Sequence, residues 1–502
     1  MSHTPSGKVS PASQSAQSAQ SADAQSADAS SATPARPSFM DRYLAWFIKW
    51  MPESFIICLF LTVLVALLAF FLTDTPVWDP DPEATSLVGA WVGAFWNLLA
   101  FTMQMTVLVA TGSAVASSPP AKRMLSRVAR LPRNRTQAIV LAAGTAGLLG
   151  FVHWGLGMMA AIVLGKEILA HARTKGMPIH PPVLVAAMFM SFIPSSSGLS
   201  GAAVLYSATP GYLKDLVPED YQAATPEAVP MTETVLRWDF VALLFICMVI
   251  TMSFAIFMHP KDPAKMGVLD DAVYEEVTTA SEKLDIPRGT PAEKANGSRF
   301  FMYLLGGIGL AYSLWNLYAQ GVTGLNLNSF NFLFLTLGIV LCANYGPEYY
   351  ASLIREGIGG TWGFILQFPF YAGIFGLIST TGLGVVISNF FTSISTANTW
   401  PVIAFLYSGI LNIAVPSGGS KFIIEAPYIV PTTLDLGADM GLVLQAYQMG
   451  DGITNLLIPF FALPYLANFK LKFSEVVGYT VPAVITTMVV TAVYLFIRTF
   501  AG

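Results

Sequence analysis

From Phe55 to Leu72 the chain reads FIICLFLTVLVALLAFFL, a run without charge or proline. A helix of about 18 to 20 apolar residues crosses the roughly 30 Å of hydrocarbon in a bilayer, and in lipid every backbone amide must find its partner within the segment. Runs of this kind recur along the sequence, so the fold class it predicts is an all-α polytopic membrane protein with the lipid bilayer as its main solvent. The composition agrees, with 54% hydrophobic and 11% charged residues in a chain of 502, less than half the usual share of charge. A net charge of -4 spread over loops points to no nucleic-acid partner. Cys58, Cys247 and Cys342 lie far apart inside apolar runs, which implies neither a disulfide nor a metal centre.

Loop charge orients the spans. Residues 1–38 are rich in Ser, Ala and Gln and have almost nothing to bury, so they read as a disordered tail. No signal-peptide pattern precedes Phe39, and the first transmembrane helix is expected to direct insertion, with a cytoplasmic N-terminus. Lys122, Arg123, Arg127, Arg130, Arg133 and Arg135 mark a cytoplasmic loop, whereas Asp74, Asp79, Asp81 and Glu83 mark an outer one. The apolar stretch 138–165 is followed by Lys166, Arg173 and Lys175, so it starts and ends on one side. A re-entrant hairpin turning at FVHWGLG (151–157) solves that problem. Residues 183–209 then cross outward, broken by FIPSSSGLSG (192–201).

After a helix near 238–258 comes a charged cytoplasmic linker, 259–299, and a connecting helix at 300–319. The pattern then repeats. WNLLAFTMQMTVLVATG (96–112) has a counterpart in WGFILQFPFYAGIFGLI (362–378), FVHWGLG in AVPSGGS (414–420), and FIPSSSGLSG in QMGDGITNLLIP (448–459). Trp96 to Trp362, Trp154 to Ser417 and Ser196 to Asp451 are separated by 266, 263 and 255 residues. The second hairpin, near 400–434, is flanked by Asp435 and Asp439, while Lys470 and Lys472 follow later, so the second copy is upside down. Two inverted-topology repeats are therefore expected, 39–258 and 320–502, each with a re-entrant hairpin and a broken transmembrane helix, and with the C-terminus outside. Discontinuous helices in inverted repeats are the architecture of secondary transporters.

Well inside the apolar segments the ionisable residues are His153, Lys421, Glu425 and Asp451, all at or beside the proposed breaks. A charge at that depth costs about 2.5–3.5 kcal/mol even on the mild insertion scale, so each needs a partner, a wet cavity or a function. One reading is structural: Lys421 pairs with Glu425 one turn on, or with Asp451. The other is a site. A helix restarting after a break offers unpaired N–H groups and the positive end of its dipole to an anion. Ser417, Gly418, Gly419 and Ser420 open such a helix, Ser417 can cap it, and Lys421 adds a full charge. On the first copy His153, Trp154 and Gly155 form the turn, and Ser195, Ser196, Ser197 and Gly198 supply hydroxyls and free amides. Asp451, Thr454 and Asn455, with carbonyls freed at the break, suit Na⁺ or a proton, with Glu425 beside them. A small carboxylate and a coupling ion would be bound together, with no other cofactor.

FWNLLAFTMQM (95–105), HWGLG (153–157), SATPG (207–211), QFPFYAGI (367–374), AVPSGG (414–419) and FALP (461–464) together resemble the bacterial short-chain fatty acid transporter family, over nearly all of the chain after the tail. The resemblance implies uptake of short monocarboxylates such as acetoacetate and butyrate across the inner membrane. It also implies membership of the larger ion transporter superfamily and a homodimer of scaffold and moving transport parts. After AVPSGG the family continues with another Gly and a Gln-Gly-Pro, where this chain has SKFIIEAP; GDGITNLL (450–457) looks more like the dicarboxylate branch. Lys421, Glu425 and Asp451 are therefore not carried over from the family pattern, and a C4-dicarboxylate carrier is the alternative. An intramembrane enzyme lacks any His-Glu-x-x-His or Gly-x-Ser-x-Gly motif, an ATP-driven pump lacks a phosphate-binding loop, and a passive anion channel would not accumulate substrate.

Overall fold

In the computed structural model, Arg42, Lys49, Pro52 and residues 54–81, 83–279, 289–359, 361–415 and 417–500 are described. The expected tail, 1–38, lies outside the described residues. Among the described residues every regular element is helical, and ten helices are long and apolar enough to cross a membrane. The all-α polytopic reading holds.

The first third contains α1 (Ser54–Leu72), α2 (Leu87–Ala94), α3 (Leu99–Ser117) and α4 (Pro119–Val128). Then come α5 (Arg135–Val152) and α6 (Trp154–Lys175), joined through a single residue, His153. Asn134 caps α5 by accepting from the Gln137 amide, and left-handed Gly176 (φ 66°) ends α6. The tip of this hairpin depends on glycine: a Cβ on Gly157 would lie 2.3 Å from the Gly150 Cα. The two backbones touch.

Pro181 and Pro182 open α7 (Pro181–Met190), which continues into α8 (Phe192–Ser196) and, after an irregular stretch, α9 (Ala202–Ser207). The break expected in 192–201 is present. Next is α10 (Trp238–Met258), then the short α11 (Asp271–Thr279) in the charged linker, α12 (Phe300–Gln320), α13 (Leu327–Cys342) and α14 (Pro347–Gly359). The remaining helices are α15 (Trp362–Thr380), α16 (Leu383–Ile394), α17 (Trp400–Ala414), α18 (Gly418–Asp435), α19 (Met440–Thr454), α20 (Pro459–Phe469) and α21 (Phe473–Phe500). The break expected in 448–459 is also present, in the later part of that stretch. Helix α19 runs on through Thr454, and the irregular stretch is 455–458.

Helices α17 and α18 form the second hairpin, joined by side chains rather than by touching backbones. Trp400 Nε1 donates to Thr433 Oγ1 at 2.9 Å, the hydroxyls of Tyr407 and Tyr428 are 2.7 Å apart, and Lys421 Nζ reaches the Ser408 carbonyl at 2.9 Å. Each hairpin packs its first arm on the neighbouring broken helix through small residues: Gly150 on Ser195, and Gly409 on Gly450.

The hairpins have their bases at opposite ends of the molecule. The base of α5–α6 lies with the linker, through Arg135 to the Pro260 carbonyl (3.1 Å), Lys166 to Glu276 (2.9 Å) and Arg173 to Asp271 (2.6 Å). The base of α17–α18 lies with the 209–237 loop and the C-terminal helix, through Tyr221 to Asp435, Arg237 to Asp439, and Arg498 to Asp239.

Candidate functional site

The break of the first half meets the last turns of α19, just before the second break. A Cβ on Gly452 would lie 2.4 Å from Ser196 Oγ and 2.9 Å from Ser197 Oγ. The Ala203 amide donates to Gln448 Oε1 at 3.0 Å, and the rings of Phe192 and Phe461 are 5.4 Å apart. The tip of the second hairpin closes over this junction. Gly418 lies against the Asp451 carboxylate and Gly419 against the Tyr206 hydroxyl, which a Cβ would approach to 2.9 and 2.5 Å.

Helix α18 starts without a side-chain cap. Ser417, expected to cap it, instead accepts from Ser420 Oγ at 2.5 Å. The first N–H groups of α18 and its dipole are thus turned to the junction, where Ser417, Gly418 and Gly419 are half-buried. The Tyr206 hydroxyl beside them is fully buried and, among the described residues, has no hydrogen-bond partner.

Lys421 is committed elsewhere. Its ammonium, 1% exposed, donates to the carbonyl and hydroxyl of Ser408 at 2.9 and 2.8 Å and lies 3.1 Å from Asp451 Oδ1. Of the two pairings read from the sequence, Lys421 makes the one with Asp451. Glu425 is fully buried, with Oε2 accepting from the Tyr447 hydroxyl and Oε1 unpaired among the described residues.

Of the carbonyls expected to be free at the second break, that of Asp451 is not. The Asp451 carbonyl accepts from the Asn455 amide, Thr454 Oγ1 and Asn412 Nδ2, because α19 continues one turn beyond it. Asn412 Nδ2 also donates to Thr454 Oγ1 at 3.0 Å and to Asn455 Oδ1 at 2.7 Å. Asp451, Thr454, Asn455, Lys421 and Glu425 therefore belong to one buried polar cluster.

The first hairpin tip differs from expectation. His153 Nδ1 accepts from the Gly155 and Leu156 amides, so the ring caps α6, while Nε2 donates to the Leu108 carbonyl at 3.0 Å. Both nitrogens are used, which fixes the neutral Nε2–H tautomer. The ring packs on Gly112 and beside Phe330 and Phe334, against α3 and α13. The Trp154 amide donates to Ser200 Oγ at 2.8 Å. The amides of Trp154 and Gly155, candidate site residues at this turn, are thus occupied. Ser195 and Ser196 turn their hydroxyls back to Ser191 and Phe192, and Gly198 sits on the Phe151 carbonyl; of the three hydroxyls Ser197 Oγ alone has no partner among the described residues.

Sequence reasoning missed Tyr206, Ser408, Asn412 and Tyr447, all neutral. Ser408 and Asn412, one turn apart on α17 with Gly409 between them, are a polar and small stripe that a search for ionisable residues passes over.

The family model for short chain fatty acid transporters matches residues 38–497. A protein of Haemophilus influenzae provisionally named a short-chain fatty acid transporter is 31% identical over 452 residues, covering 90% of this chain and 97% of that one. One of the same name from Escherichia coli is 30% identical over 455 residues, with the same coverage. In fold the chain is similar to the YdaH transporter of Alcanivorax borkumensis, with a TM-score of 0.55 and 17% identity over 89% of this chain and 98% of that one. It is likewise similar to MtrF of Neisseria gonorrhoeae, described within a class of antimetabolite efflux pumps, with a TM-score of 0.55 and 18% identity over 92% and 98%. The relatives are transporters and not enzymes, and the sequence motifs, the broken helices and the full-length match lead to one conclusion: the chain belongs to the short-chain fatty acid transporter family.

Proposed function

We propose that the protein is a secondary active transporter that imports short-chain fatty acids or similar small carboxylates, such as acetoacetate and butyrate, coupled to a Na⁺ or H⁺ gradient. The observation that carries this reading is the uncapped start of α18 beside the unpaired Tyr206 hydroxyl. Unpaired N–H groups at a helix start bind a carboxylate, and a buried hydroxyl without a partner costs about 1–3 kcal/mol unless a ligand satisfies it. Ser417, Gly418, Gly419 and Ser420 form the substrate side, and Glu425, Asp451, Thr454 and Asn455 the coupling side. With Lys421 already paired to Asp451, one carboxylate suits the junction better than two, which favours monocarboxylates over C4-dicarboxylates.

Repeats of inverted topology, 39–258 and 320–502, account for the two hairpins with bases at opposite ends and for broken helices that meet near their breaks. Movement of the hairpins against a dimeric scaffold in the inner membrane would expose the junction to each side in turn, as in an elevator. The test is uptake of labelled acetoacetate, butyrate and C4-dicarboxylates into reconstituted vesicles under imposed Na⁺ or H⁺ gradients. Gradient-dependent accumulation of the monocarboxylates is expected; absence of such uptake across the panel overturns the reading.

A further inference from the structure

Lys421 lies in the first turn of α18, yet its ammonium is enclosed rather than presented to the junction. Around Nζ stand the Ser408 carbonyl at 2.9 Å, the Ser408 hydroxyl at 2.8 Å, Asp451 Oδ1 at 3.1 Å and the face of the Tyr447 ring at 4.7 Å. A carbonyl, a hydroxyl, a carboxylate and a π face are the partners that a monovalent cation takes in a protein. Here a tethered ammonium holds that position and balances Asp451. The other oxygen cluster nearby, formed by the Asp451 carbonyl, Thr454 Oγ1 and Asn455 Oδ1, converges on Asn412 Nδ2. Both oxygen clusters already have N–H donors supplied by the chain.

Glu425, one turn beyond Lys421, has no paired cation among the described residues. The groups that face it are Lys421 and Tyr428 on α18, Tyr407 on α17, and Tyr447 and Asp451 on α19. Of the other helices packed on α18, α9 brings Tyr206 to Gly419, α15 brings Tyr371 to Ser420, and α16 has no acid or base. Among the described residues Glu425 Oε1 and Asp451 Oδ1 both lack a hydrogen-bond donor, but Asp451 Oδ1 lies 3.1 Å from the Lys421 ammonium, so Glu425 is the acid of this cluster without a paired cation and with an oxygen open to a proton.

We propose that Lys421 is the resident cation of the transport site, in the place of a metal ion, and that the co-transported ion is a proton taken up by Glu425. This rests on the carboxylate-transport reading above. On the side from which substrate enters, the Glu425 carboxylate binds one proton at Oε1, and the new O–H donates to the Tyr407 oxygen. On the other side that O–H bond breaks, the proton passes to water and the carboxylate is restored. One substrate carboxylate and one proton cross per cycle, so no net charge moves.

The test uses the full chain in vesicles with labelled acetoacetate, subtracting uptake by protein-free vesicles. An inward H⁺ gradient is expected to drive accumulation equally in Na⁺ and in choline medium, and an imposed membrane potential to leave it unaffected. Glu425→Gln is expected to lose at least about tenfold of the H⁺-driven accumulation, and whatever labelled-for-unlabelled exchange survives is expected to lose its pH dependence. Lys421→Ala is expected to be inactive in choline and partly rescued by Na⁺ or Li⁺. Should that variant fail to reach the membrane, the cation dependence of the wild-type chain and the Glu425→Gln pH profile decide. Uptake by the wild-type chain that needs Na⁺, or H⁺-driven accumulation retained in Glu425→Gln, overturns the inference while leaving carboxylate transport standing. Absence of exchange for every carboxylate tested overturns transport itself, and the inference with it.

Discussion

Asn412 shows how the cluster is held together. One buried amide group donates to oxygens of Asp451, Thr454 and Asn455 at the end of α19, so α17 and α19 are joined there by a neutral side chain rather than by charge. Asn412→Ala leaves Asn455 Oδ1 and Thr454 Oγ1 without that donor. We expect it to lower stability by about 1–3 kcal/mol, read as a fall in the thermal unfolding midpoint in detergent; an unchanged midpoint would show the amide to be dispensable. The charged members of this cluster were legible in the sequence because ionisable residues in apolar runs are rare and conspicuous. Asn412, Ser408 and Tyr206 were not, since a neutral polar residue in a membrane helix has many uses and only contact with other elements reveals which one it serves. His153 was legible as a turn but not as a cap. A ring nitrogen that accepts from the first amides of its own helix leaves them unavailable to a ligand.

The linker is the element whose behaviour is least apparent from its sequence. Its acidic residues meet the basic ends of the transmembrane segments: Glu276 with Lys166, Asp271 with Arg173, and Asp270 with Lys470 at 3.1 Å. Two histidines fasten its first turn. His259 Nε2 accepts from the His180 amide at 3.0 Å, and His180 Nδ1 accepts from the Gly267 amide at 2.9 Å. Burial, reinforced by neighbouring His259, holds His180 below the ordinary value of 6.5. Burial likewise holds His259 below 6.5, outweighing the Pro260 carbonyl, with Arg135 adding to the effect. Both groups bind fewer protons folded than unfolded, so their contribution is complete above pH 6.5 and is lost as pH falls through the lower folded values. Hydrogen exchange in 259–267 is expected to speed up on acidification beyond the change in intrinsic rate, and His180→Gln to flatten that response. Charge patterning identified this stretch as polar and outside lipid. It could not reveal the histidine fastening, which depends on where α7 begins and α10 ends.

At the scale of the whole molecule, the contacts at the two ends predict two separately accessible surfaces. Cys58, Cys247 and Cys342 are buried, so an added cysteine can be read against a quiet background. Glu219→Cys and Ala272→Cys, at exposed positions in the loop at one end and the linker at the other, are expected to react with an impermeant maleimide from opposite sides of the membrane. Labelling of both from one side would contradict that arrangement. The order of helices, hairpins and breaks was readable because lipid restricts a chain to few solutions; the late end of α19 was not, since Gly450 and Gly452 look like breakers and here allow Phe405 and Ser196 to pack closely. The two hairpins also differ in compliance. The first is zipped backbone to backbone at Gly150 and Gly157, while the second is spaced by Trp400–Thr433, Tyr407–Tyr428 and Ser408–Lys421. A zipper of main chain yields all at once or not at all, whereas a ladder of side chains can release rung by rung, so thermal fluctuation will part the arms of the second hairpin well before those of the first.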